Sequence, residues 1–154
     1  DIKYAIPSFF SASKIKTKTK RKFKIITALS VFYAAEDPNK FLSDVKELLM
    51  PNGVFLLEFA DLASILKYKM FDTVCHEHLE YYSTEVIKNL CKKYSLKVFN
   101  IIQNDINGAS KQYYICHIAF LCGQENLLRV LFLLYFPSKA QQVQRLARHN
   151  DLFY

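Results

Sequence analysis

The chain has 154 residues, 51% of them hydrophobic and 15% aromatic, so it can bury a core of single-domain size and is globular rather than disordered. The longest apolar stretch, Leu127 to Phe136, is interrupted by Arg129 and falls short of the roughly 18 residues that a membrane span requires. The formal charge of +7 is concentrated between Lys14 and Lys24.

The opening Asp1-Ile2-Lys3 carries neither an initiator Met nor a signal-peptide pattern, which reads as an internal start. The basic run Lys14 to Lys24 has Phe23 as its only aromatic residue and no nucleic-acid reader motif. It is expected to be a solvated loop before a strand; capture of phosphates or nucleic acid is the competing reading. From Phe23 to Ser30 the chain turns apolar and β-branched, as a buried parallel strand does. Asp37 then caps a helix with Pro38 in its first position, and Phe41, Leu42, Val45, Leu48 and Leu49 recur at helical spacing. Pro51-Asn52-Gly53 stops that helix and leads into Val54 to Phe59, a second apolar strand containing Glu58. Strand, helix, turn and strand make a βαβ unit. Ligands of open parallel sheets bind at the carboxyl ends of strands, which brings Ser30 and the stretch Glu58 to Asp61 forward as pocket residues.

A loop is expected from Ala60 to Val74. It leads into Cys75-His76-Glu77-His78-Leu79-Glu80-Tyr81-Tyr82-Ser83, a dense collection of imidazoles, carboxylates, phenols and a thiol. Imidazole is the side chain best suited to moving protons near neutral pH. A polar segment before a helix gathers such residues for capping as well, and Ser83-Thr84-Glu85 has the pattern of a helix start. A strand from Leu96 to Ile102, a turn cluster from Asn104 to Gly108 and a strand from Lys111 to Phe120 predict an antiparallel hairpin at the sheet edge. Beyond Cys122, Glu125 to Phe136 and Lys139 to His149 read as helices, the second of them polar.

The cysteines at 75, 91, 116 and 122 form no CxxC pair, which fits reduced thiols in a cytoplasmic protein. Cys75, His76 and His78 lie too close together on one loop to close a zinc tetrahedron unaided, so no metal is expected.

The Pro-Asn-Gly turn, the strand containing Glu58, the Cys75-His76-Glu77-His78 loop with Leu79, Tyr81, Tyr82 and Ser83 after it, and the turn Asn107-Gly108-Ala109-Ser110 together resemble the S-adenosylmethionine-dependent sugar C-methyltransferases. The resemblance runs over about residues 20 to 118 and is most specific in the His-Glu-His loop. It implies a partial Rossmann-like α/β methyltransferase sheet with antiparallel last strands in residues 1–122, followed by a C-terminal helical segment, 123–154. The family's glycine-rich cofactor loop, the acidic strand end that holds the cofactor ribose and a cysteine-rich zinc module would all precede this stretch. Cys75 stands where many members carry Tyr, and Ala34 where they carry His.

The resemblance implies a nucleotide-linked keto-deoxysugar as substrate and S-adenosylmethionine as cofactor, binding of which by this chain alone is not expected. His78 would take the proton beside the ketone, Glu77 would orient the imidazole, and His76 or Tyr81 would hydrogen-bond the sugar. Ser30 and Val31 are the expected cofactor contacts; Glu58, Cys75, Tyr81 and Asn107 are the expected substrate contacts. A truncated, non-catalytic binding domain is the reading that the missing glycine-rich loop favours.

Overall fold

The computed structural model describes residues 5–121. Helices expected after Cys122 therefore lie outside the described residues. Four strands form one sheet in the order β1-β2-β4-β3, with β1 at Phe23–Leu29, β2 at Leu49–Ala60, β3 at Leu96–Gln103 and β4 at Ser110–His117. β1 and β2 are parallel, while β4 runs against both β2 and β3. The βαβ unit and the antiparallel hairpin are thus both present, and β3 runs with β1 and β2.

The helix expected at Pro38 is α2, Pro38–Leu48, with the Asp37 side chain accepting from the Lys40 N–H. The one expected at Thr84 is α4, Thr84–Lys93, capped by Ser83 accepting from the Val86 N–H. Both caps satisfy a helix-end donor that would otherwise lack a partner. The apolar stripes of these helices cover one sheet face: Leu42, Val45, Ile87 and Cys91 pack with Phe55, Leu57, Phe59, Tyr113 and Ile115 in one buried cluster. The opposite face holds the smaller pair Leu56 and Tyr114, flanked by Leu29, Val54 and Phe99.

Several local expectations change. Ala12–Lys18 within and before the basic run is a helix, α1, because Ala12 is buried and Ile15 half-buried against α2, and Lys16 pairs with Glu47 of α2. β1 is less buried than its apolar sequence predicts: Ile25 is 59% exposed, since β1 pairs on one side only among the described residues. Pro51-Asn52-Gly53 bulges out of the β1–β2 ladder, where Phe23 pairs with Leu49 but Ile25 already pairs with Val54. Gly53 is required there, because a Cβ would meet the Leu49 side chain at 2.8 Å and the Phe23 carbonyl at 3.0 Å. β4 ends at His117, and Ile118–Leu121 turns into a short helix, α5.

The expected loop from Ala60 to Val74 contains a helix, α3, Leu62–Tyr68, and a 3-10 turn, Phe71–Thr73. Its cause is Asp61. This carboxylate is fully buried; Oδ1 accepts from the Ser64 N–H at 3.0 Å and so caps α3. Oδ2 accepts from the Lys111 ammonium at 2.6 Å and from the Thr84 hydroxyl at 3.2 Å. Beside it the Leu62 N–H donates to the Tyr82 carbonyl at 2.8 Å. One side chain therefore joins the end of β2, the starts of α3 and α4, and β4.

Burial alone would raise the Asp61 pKa, but hydrogen bonds from Lys111 and Ser64, with the Lys111 charge, outweigh it and leave it below the ordinary 3.8. Because the folded-state pKa is depressed, its stabilisation is fully present above the ordinary carboxylate range and is lost as pH falls through the folded value. Asp61→Ala leaves the Lys111 ammonium without its carboxylate, with the Thr84 hydroxyl as its remaining neighbour, and should lower unfolding free energy in urea by about 3 kcal/mol at pH 7. The difference from wild type should shrink in acid; a difference below about 0.5 kcal/mol at pH 7 would show that the cluster is dispensable.

Candidate active site

The strands β1 and β2 end side by side, and the chain leaves β1 through Ser30, whose φ of 55° is left-handed and whose N–H donates to the Glu58 carbonyl at 2.8 Å. That turn sends Phe32 into the core and starts the 3-10 turn Phe32–Ala34. Tyr33 thereby lies half-buried beyond the carboxyl ends of the strands. Its carbonyl accepts from the Glu80 N–H at 3.1 Å, fastening the His-Glu-His loop to β1.

The loop itself is a tight turn from Cys75 to His78, closed by the His78 N–H on the Cys75 carbonyl at 3.2 Å. His76 and Glu77 are exposed on it, whereas His78 is half-buried. The His78 imidazole packs against the Tyr33 ring, with centroids 4.0 Å apart and planes inclined by 50°. Tyr81 meets the imidazole edge-on at 6.3 Å, and its hydroxyl donates to the Thr73 carbonyl at 3.2 Å. Tyr33, His78, Glu80 and Tyr81 line a small open cleft with Ala60, Ile65 and Thr73. Its floor is the end of β2 and its wall is α3.

Of the residues expected to form a site, His78 and Tyr81 meet in this cleft. Ser30 and Asn107 also come together, the Asn107 side-chain amide donating to the Ser30 hydroxyl at 3.2 Å across 77 residues of sequence. Val31 is half-buried and packs on the core. Glu58 does not line the cleft; it is 3% exposed, and its Oε2 accepts from Gln112 at 2.6 Å and Asn104 at 3.0 Å, which ties the β3–β4 turn to the sheet. Cys75 is exposed beside the turn.

Tyr33 was not among the expected site residues. An aromatic three positions past the β-branched run, at the carboxyl end of a parallel strand, was the available signal. Burial raises its pKa, a hydrogen bond with the Ser30 side chain works against that, and the neighbouring Cys75 and Glu77 add to the rise. Its phenol is therefore held protonated. Among the described residues, no three His, Cys, Asp or Glu side chains converge as metal ligands would, and no helix is long and apolar enough to cross a membrane.

Residues 6–101 match the family described as methyltransferase domain. The chain belongs to that family. Over 87 residues this methyltransferase domain is 31% identical to the C-methyltransferase NovU of Streptomyces niveus, a match covering 56% of this chain and 21% of NovU. Two solved structures share its fold. CalO1, a methyltransferase in calicheamicin biosynthesis, in its SAH-bound form, superposes with a TM-score of 0.52 at 9% identity, over 65% of this chain and 32% of that one. The mitomycin 7-O-methyltransferase MmcR gives 0.50 at 16% identity, over 65% and 31%. The chain thus spans less than a third of the length of each. The expected Rossmann-like methyltransferase architecture is confirmed.

Burial separates the thiols by reactivity: Cys91 and Cys116 are buried, and burial pushes both up to about 12. Brief treatment of the native protein with iodoacetamide should alkylate Cys75 and spare Cys91 and Cys116, as read by peptide mass spectrometry. Modification of Cys91 at the rate of Cys75 would contradict the packing of α4 on the sheet.

Proposed function

We propose that this methyltransferase domain carries the substrate-deprotonating part of an S-adenosylmethionine-dependent C-methyltransferase acting on a nucleotide-linked keto-deoxysugar. The observation that carries the reading is the position of His78. It is the half-buried histidine of the loop, it lines a cleft at the carboxyl ends of parallel strands, and a phenol packs on either side of it. The match to a C-methyltransferase over 87 residues supports carbon as the methylated atom.

A carbon becomes nucleophilic toward a methyl sulfonium only after losing a proton beside a carbonyl. His78 takes that proton onto a ring nitrogen, the C–H electron pair becomes the C=C bond, and the carbonyl π pair moves onto oxygen. Glu77 and His76 are exposed on the same turn and do not line the cleft. S-adenosylmethionine, when bound, supplies the electrophilic methyl group. The described residues fit this cofactor only in part: Ser30 and Val31 stand at the end of β1, but Gly53 and Gly108 lie in turns elsewhere and give no glycine-rich turn there. The deprotonation site is the better-formed half of the chemistry.

Deprotonation can be followed without the cofactor. In D2O, the full chain should speed exchange of the proton beside the ketone of thymidine diphosphate 4-keto-6-deoxyglucose above the buffer rate, as read by proton NMR. His78→Asn should cut the catalysed rate about 100-fold, within the usual contribution of a positioned base. His76→Ala should stay within about two-fold, because that side chain is solvent-exposed. Exchange unaffected by His78→Asn would remove histidine as the base.

A further inference from the structure

Proton removal by His78 leaves negative charge on the former ketone oxygen, and a donor must meet that oxygen for the base to be effective. Cys75 on the same loop is exposed, and its thiol is a poor hydrogen-bond donor. A phenol lies in the cleft itself. Tyr33 packs on the imidazole of His78 with ring centroids 4.0 Å apart and lines the same cleft. The Ser30 hydroxyl, whose oxygen accepts from the Asn107 amide at 3.2 Å, is the neighbour that works against the rise of the Tyr33 pKa.

The direction of this chain of bonds matters. Asn107 donates an N–H to the Ser30 oxygen. Ser30 can then donate its own O–H to the Tyr33 oxygen, the arrangement in which the bond favours charge on that oxygen. Tyr33 keeps its O–H hydrogen for a further acceptor. The bond from Ser30 works against the burial that raises the Tyr33 pKa, and the phenol stays protonated and able to donate. The Glu80 N–H on the Tyr33 carbonyl at 3.1 Å fixes the backbone from which this phenol projects.

We propose that Tyr33 is a catalytic residue of this site, its hydroxyl donating to the substrate oxygen that becomes the enolate while Ser30 and Asn107 hold it from behind. The inference rests on the reading of His78 as the base. No proton leaves Tyr33: the substrate proton goes to His78, and the phenol only hydrogen-bonds the oxygen that gains charge. Ser30 and Asn107 are positioning residues that act through it.

The test is the same cofactor-free exchange of thymidine diphosphate 4-keto-6-deoxyglucose in D2O, run on the full chain with saturating and limiting substrate. Tyr33→Phe keeps the ring against His78 and removes the donor; it should lower kcat for exchange about 100-fold, as loss of one oxyanion donor does, with KM changed less than about three-fold. Ser30→Gly, which suits the left-handed φ of 55° and removes the relay hydroxyl, should lower kcat about ten-fold. Amide NMR spectra that match wild type outside residues 28–36 and 75–82 establish that both variants are folded. If Tyr33→Phe exchanges at the wild-type rate while His78→Asn has lost exchange, the inference is overturned and the base reading stands. If Tyr33→Phe raises KM with kcat unchanged, Tyr33 only binds, and the inference is overturned. If wild type itself does not exceed buffer, the base reading falls and takes this inference with it.

Discussion

A single buried carboxylate determines where the reactive loop lies. Asp61 is fully buried, yet each oxygen has partners: one caps α3, and the other holds Lys111 of β4 and Thr84 at the start of α4. Residues 69–83 run between these two helices, whose starts are both held by this one side chain. An unpaired charge at this depth would cost several kcal/mol, about the size of a typical buried-pair loss. The cluster therefore tolerates few arrangements, and that intolerance is what gives the loop a defined path over the sheet.

From those two fixed points the loop is fastened again at Tyr33, through its carbonyl on Glu80 and its ring on His78. The consequence is chemical. Two histidines two residues apart end in different surroundings, His76 in solvent and His78 in the cleft between two phenols. A proton acceptor needs a held substrate and a fixed direction, and of the two only His78 has a wall to provide them. The second sheet face contributes support rather than chemistry, with Glu58, Gln112, Asn104 and Tyr114 bonded to one another along β2, β4 and the turn.

The strands, α2 and α4 were legible in the sequence because each has an apolar period and a local stop or cap: Asp37-Pro38 and Ser83-Thr84 at helix starts, Asn107-Gly108 before the last strand. What escaped depended on distant partners. α1 is rich in lysine and reads as loop until Ala12 and Ile15 meet α2. α3 is only seven residues long, and its start depends on an Asp whose burial is decided by Lys111, 50 residues away. The histidine loop could be picked out by composition, but nothing in its spacing says which imidazole turns inward. Likewise the place of Tyr33 just past a strand end was legible, but its part in the site depends on a ring contact 45 residues further on and on the Ser30–Asn107 contact.

Deprotonation by His78 depends first on where a keto sugar sits relative to its imidazole. A crystal structure of the full chain with thymidine diphosphate 4-keto-6-deoxyglucose should place the carbon beside the ketone about 3.5 Å from a His78 ring nitrogen, the distance of a reacting pair. A sugar bound away from the loop, or with its ketone turned from both His78 and Tyr33, would contradict it.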